Sequence, residues 1–131
     1  ISDYTQQGGN LMLSGSYLGS ILPTHLAQNT LKFTHGGSMY GVTTGQVFGA
    51  NTTLSFPTQV NEKSYAVPAP DCLLPTAGAY STFVYTPGNY GAGIAYKGTD
   101  YRTFVLGFPF ESIDNAQHRS RIMKAALDLF K

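Results

Sequence analysis

The stretch Gly8-Gly9-Asn10-Leu11-Met12-Leu13-Ser14-Gly15-Ser16 joins three structural signals in a few residues. Gly8 and Gly9 follow Ile1 to Gln7, which reads as the last turns of a helix, and glycine just past a helix C-terminus is the expected left-handed stop. Leu11, Met12 and Leu13 are apolar on successive residues rather than on alternate ones. That pattern marks a strand covered on both faces, as in a parallel sheet between helices. Gly15-Ser16 then makes a tight turn, and Tyr17 to Leu22 begins another helix that breaks near Pro23. Helix, double glycine, buried strand, tight turn and helix make half of a doubly wound unit, in which ligands collect at the carboxyl ends of the strands.

Outward from that unit, the middle of the chain changes character. Strand-like runs at Leu31–Thr34, Gly41–Phe48, Thr53–Phe56, Ser64–Val67 and Ser81–Tyr85 alternate with turn-formers. The turn-formers are Gly36-Gly37, Asn51, Pro57, the Pro68-Ala69-Pro70-Asp71 segment, Pro75 and Pro87-Gly88-Asn89. Residues 30–90 are therefore expected to be a β-rich insertion or antiparallel edge region within one domain spanning 1–131. Further on, Gly91–Tyr96 and Tyr101–Phe108 read as two strands joined by the hairpin connection Lys97-Gly98-Thr99-Asp100. The final helix, Asn115 to Phe130, carries Ile122, Met123, Ala126, Leu127 and Phe130 three and four residues apart, a core-facing stripe. The expected fold is α/β: a doubly wound, mostly parallel sheet with helices on both faces, an antiparallel β region at its edge, and an incomplete N-terminus.

Composition narrows the function. A chain of 131 residues with 42% apolar content suits one core. Only 11% of residues are charged, and 15 glycines, 9 tyrosines and 8 phenylalanines fill the difference. Solubility by hydroxyls and amides fits an extracytoplasmic protein, and equally a strand-rich domain with long polar loops. Net charge is +1 with no basic run, which argues against a nucleic-acid partner. No apolar run approaches the ~20 residues of a membrane span. The lone Cys72 sits beside Leu73 and Leu74 and reads as a small buried residue rather than a reactive thiol.

Two boxes carry a resemblance. Gly8 through Gly19 and Gly107-Phe108-Pro109-Phe110-Glu111-Ser112-Ile113, with the helix holding Arg119 and Met123, resemble a domain of secreted or surface Bacteroidetes-type proteins. Those proteins are labelled xanthan lyase or N-acetylmuramoyl-L-alanine amidase-like, and the domain is similar to the class I glutamine amidotransferase fold. The resemblance implies a nucleophilic Cys on the turn after the buried strand and a His in a Phe-His-Pro-Glu sequence at the end of a later one. Here the turn holds Ser14-Gly15-Ser16, and Pro109 stands where His is implied. A serine without its base is a poor nucleophile. The catalytic candidates that remain are Ser14, Ser16, Glu111 and His118. Gly15, Ser16, Tyr17, Phe108, Phe110 and Glu111 form a candidate ligand-binding rim.

Each candidate also has a structural role available. Glu111 would sit at a helix start, where exposed N–H groups favour a carboxylate. Ser16 would cap the helix from Tyr17, and Asp71 a turn. His25, His35 and His118 lack partners at metal-ligand spacing, so no metal or other cofactor is expected. The function expected is a non-catalytic module of a larger secreted or surface bacterial protein, a scaffold or a carbohydrate- or peptide-binding surface. Its partners would be a polysaccharide or peptidoglycan-type ligand and other domains of the same precursor. The alternatives are a Ser-based hydrolase or polysaccharide lyase, and an assembly module that forms a homodimer through an exposed sheet edge.

Overall fold

The computed structural model describes residues 1–40, 44–47, 53–55, 67, 69–86, 90–113 and 116–131. A short helix α1 (Ser2–Gln6) stops at Gly8, whose φ of +90° supplies the left-handed turn. Strand β1 (Leu11–Ser14), helix α2 (Leu18–Ile21) and a π-helical segment (Leu26–Leu31) follow. Strands β2 (Phe33–Ser38), β3 (Thr44–Val47), β4 (Thr53–Ser55), β5 (Asp71–Pro75), β6 (Tyr80–Thr86), β7 (Tyr90–Lys97) and β8 (Arg102–Leu106) come next. A 3₁₀ turn (Phe110–Ser112) leads to the terminal helix α3 (Ala116–Phe130). The strand expected at Ser64–Val67 lies almost wholly outside the described residues.

One six-stranded sheet runs in the order β1-β8-β7-β6-β3-β4, and β2 pairs with β5 in a second, two-stranded sheet. Among the described residues only the β1–β8 pair is parallel, in the register Leu11↔Thr103 to Ser14↔Leu106. The β8–β7, β7–β6, β6–β3, β3–β4 and β2–β5 pairs are all antiparallel. The expectation of a doubly wound, mostly parallel sheet is thus overturned: the domain is a β-rich, mixed fold. The physical reason lies in the connections. Strand β7 reaches β8 through a tight turn closed by Gly98 N–H donating to the Tyr101 carbonyl at 3.1 Å, too short for the crossover that parallel neighbours need.

The apolar runs have a separate explanation. Phe104 and Leu106 belong to one buried cluster with Phe83, Tyr85, Phe108, Ile122 and Ala126. Val105, between them in sequence, belongs to a second with Leu31, Phe33, Leu73 and Ile94. Successive side chains of a strand point to opposite faces, so β8 is covered on both. Helix α3 covers the first face, and the α2/π segment with the β2–β5 sheet covers the second. Met12 packs on the first cluster and Leu11 and Leu13 on the second.

Helix α3 is held at its end as well as along its side. The Arg102 guanidinium donates to the carbonyls of Leu129, at 2.6 Å, and Lys131. Asn10 Nδ2 donates to the Phe130 carbonyl at 3.3 Å, so side chains from the starts of β1 and β8 satisfy carbonyls that the last turn leaves open. The expected apolar stripe holds only in part. Ile122 and Ala126 are buried, whereas Met123 is 36% and Leu127 54% exposed. Arg119 donates to the Ile113 carbonyl.

Candidate functional site

Because β1 and β8 run parallel, the turn after Ser14 and the segment after Leu106 leave the sheet side by side. Gly15 N–H continues the ladder to the Leu106 carbonyl at 3.3 Å. The Ser14 hydroxyl oxygen accepts from Phe110 N–H at 3.3 Å. Beyond it, Pro109 accepts at its carbonyl from Ser112 N–H at 3.0 Å and from the Ser112 hydroxyl at 2.5 Å. These bonds shape the 3₁₀ turn that carries Phe110 and the exposed Glu111.

The turn itself is strained at Tyr17, with φ 64° and ψ 14°. A left-handed conformation costs an ordinary L-residue roughly 1–2 kcal/mol. Tyr17 starts α2, and its carbonyl accepts from Ser20 N–H at 3.2 Å and Ile21 N–H at 3.0 Å. Ser16 does not cap this helix, and no side chain among the described residues does. The outcome is an aromatic residue projected from the strand-to-helix turn, 43% exposed.

Behind the turn lies an arrangement that the sequence did not announce. Asp71 is buried at the start of β5. Its Oδ2 accepts from Gly19 N–H at 3.2 Å, and its Oδ1 stands 3.6 Å from Nε2 of the half-buried His35. Asp71 N–H donates to the Gly107 carbonyl at 2.7 Å, and its own carbonyl accepts from the buried Tyr85 hydroxyl at 2.6 Å. The His35 ring lies so close on Gly19 that an added Cβ would meet its Cγ at 2.2 Å. Asp71 thus ties α2, β2, β6 and the end of β8 together. Burial, then the neighbouring Asp71 charge, pushes the Tyr85 phenol far above its ordinary pKa. A cleft of about 210 Å³ opens between Gly19, Thr24, Gln28, Phe33 and His35.

The expected residues divide. Ser14, Gly15, Ser16, Tyr17, Phe110 and Glu111 fall on the β1 turn or the 3₁₀ turn beside it. Phe108 points inward, 1% exposed, edge-to-face on Phe83 at 5.9 Å and Tyr85 at 6.4 Å. His118 is half-buried in the first turn of α3. Cys72 is buried in β5, and burial raises its thiol pKa. Asp71, expected to cap a turn, stands instead at the start of β5, and His35 lies in β2. They meet only through β2–β5 pairing, and that register left no local pattern. Among the described residues no group of three or more metal-ligating side chains converges, and no helix is long and apolar enough to cross a membrane.

No family model matches the chain, and no curated protein matches it. Solved structures do. The mmIFT52 N-terminal domain superposes with a TM-score of 0.62 at 13% identity, over 98% of this chain and 68% of that one. A polyextremophilic β-galactosidase from the Antarctic haloarchaeon Halorubrum lacusprofundi gives 0.57 at 16% identity, over 98% of this chain and 18% of the enzyme. A cold-adapted β-galactosidase from Rahnella sp. R3 gives 0.57 at 13%, over 97% and 19%. None of these is an amidotransferase, a xanthan lyase or an amidase. With the antiparallel sheet, they overturn the family resemblance, including its association with secreted Bacteroidetes proteins. At such identities the likeness is one of fold alone, and this chain spans about a fifth of either β-galactosidase.

Proposed function

We propose that this chain is a non-catalytic module of a larger protein, with the carboxyl end of β1 serving as a structural joint whose outer rim binds. One observation carries this reading: the Ser14 hydroxyl and one oxygen of the Asp71 carboxylate are held by backbone N–H groups. The Ser14 hydroxyl accepts from Phe110 N–H, and the Asp71 carboxylate accepts from Gly19 N–H. What faces outward is the strained Tyr17 on the β1 turn and Glu111 on the neighbouring 3₁₀ turn, both exposed. Strain of this kind at a strand-to-helix turn is a pointer to binding, and a projecting aromatic ring with a nearby carboxylate suits a sugar or peptide surface. Occurrence of the fold inside much longer chains is consistent with a module.

A fluorophosphonate probe, which labels activated serines, tests the proposal. The protein should remain unlabelled. Stoichiometric labelling abolished by Ser14→Ala or Ser16→Ala would make the turn a nucleophile and sink it. Retention on insoluble polysaccharide, lost in Tyr17→Ala, would support a sugar-binding rim.

A further inference from the structure

Two polar atoms behind the β1 turn are buried without a hydrogen-bond partner among the described residues: Oδ1 of the fully buried Asp71 and Nε2 of His35. They stand 3.6 Å apart, so an advance of the ring by about 0.6 Å would close a bond of ordinary length. A buried carboxylate oxygen left open is costly, and the donor within reach is an Nε2–H of His35. That tautomer leaves Nδ1 as a bare acceptor. The His35 side chain is 28% exposed although Nε2 is buried, so Nδ1 is the nitrogen available at the cleft His35 lines. Thr24, Gln28 and Thr34 complete the polar lining, and no Asp, Glu, Lys or Arg is among the lining residues. Gln28 belongs to the π-helical segment, a geometry that is rare and concentrated at functional sites.

We infer that this cleft binds a small neutral polyol, the size of a single sugar ring, through a hydroxyl that donates to Nδ1 of His35. A charged ligand would find no counter-ion on the walls, and an unpaired charge taken out of water is costly. Hydroxyl groups both donate and accept, which matches the Thr24 and Thr34 hydroxyls and the Gln28 amide. The volume of about 210 Å³ lies below the roughly 300–1,000 Å³ of pockets for drug-sized ligands, which limits the occupant to one ring. Asp71 does not line the cleft. It is a positioning residue that fixes which nitrogen of His35 carries the hydrogen. Its open 3.6 Å approach suits a bond that tightens when a ligand docks on the far side of the ring. The cleft is separate from the Tyr17 rim and binds whether or not the rim does.

Isotope-labelled protein is titrated with glucose, galactose, mannose and N-acetylglucosamine, and with glucuronate and glucosamine as charged counterparts. A neutral sugar should give saturable amide shifts at Gly19, Gln28 and His35, and the charged counterparts weaker ones. Asp71→Asn keeps the acceptor for Gly19 N–H but turns an amide N–H toward His35, so the ring hydrogen moves to Nδ1. The cleft then loses its acceptor, and the dissociation constant should rise roughly tenfold; a merely structural pair would leave binding unchanged. His35→Phe should cost the same factor, and Tyr17→Ala should leave the cleft shifts intact. Should the first two variants misfold, the ring-nitrogen shifts of the wild-type chain decide: sugar-bound His35 must carry its hydrogen on Nε2. No saturable shift from any neutral sugar, shifts abolished by Tyr17→Ala, or tighter binding of a charged counterpart would each overturn the site. So would unchanged affinity in either folded variant, or a bound His35 with its hydrogen on Nδ1.

Discussion

Gly107→Ala places a methyl group where Asp71 passes the end of β8. The new Cβ would lie 2.3 Å from the Asp71 carbonyl oxygen and 3.1 Å from the Tyr85 hydroxyl. Ordinary contact begins near ~3.5 Å, so the backbone of β5 must recede by about 1 Å. Two bonds converge there, Asp71 N–H to the Gly107 carbonyl at 2.7 Å and the Tyr85 hydroxyl to the Asp71 carbonyl at 2.6 Å. Each contributes about 0.5–1.5 kcal/mol net, and overpacking adds ~1–3 kcal/mol. Lower unfolded-state entropy with Ala returns ~0.4–1 kcal/mol. The balance is a loss of about 2–4 kcal/mol, or a fall in Tm of roughly 7–14 °C for a chain of this length. Urea unfolding followed by circular dichroism measures it. Gly37→Ala is the control: nothing lies within 4 Å of its added Cβ, and only its φ of +108° resists, so it should cost about 1 kcal/mol. A Gly107→Ala protein within ~0.5 kcal/mol of wild type would refute the close approach of β5 to β8.

Three further outcomes follow from the same junction. Tyr85→Phe should lose about 1–2 kcal/mol, because the Asp71 carbonyl loses a buried donor. In alkaline titration Tyr85 should ionise late, because burial and the neighbouring Asp71 charge hold its phenol above the ordinary range. Its folded pKa is raised above the unfolded value, so its contribution to stability is complete below the unfolded pKa and lost as pH climbs toward the folded one. The last spectral step should therefore coincide with unfolding and vanish in Tyr85→Phe. Cys72, buried with a raised thiol pKa, should react with a thiol reagent only at the rate of unfolding; immediate reaction would contradict its placement in the core.

Parts of this fold were legible because they rest on local rules. The glycine stop after α1, the β7–β8 hairpin and the span of α3 follow from turn chemistry and periodicity. The direction of the sheet was not legible, for a reason visible in β8. A continuous apolar run reports that both faces of a strand are covered, and Phe104-Val105-Leu106 is so covered. It does not report which way the neighbour runs, and β8 has one parallel and one antiparallel neighbour. Strand β5 was hidden by its flanking prolines, since Pro68, Pro70 and Pro75 read as turns, yet Pro75 closes a strand in a two-stranded sheet where a missing N–H is tolerated. Met123 and Leu127 share the period of Ile122 and Ala126 but fall on the flank that nothing described covers. The strand-to-helix turn was legible as a place, but Asp71 and His35 reach it only through tertiary pairing.

The claim that the end of β1 is a joint rather than a reaction centre meets its most direct test in the stability of Ser14→Ala. Groups kept for chemistry often stabilise a protein when removed, whereas a structural tie leaves a donor unmatched. Loss of the bond from Phe110 N–H to the Ser14 hydroxyl should lower the unfolding free energy by about 1 kcal/mol, read as a lower urea midpoint at unchanged slope. A midpoint equal to or above that of wild type would contradict the account.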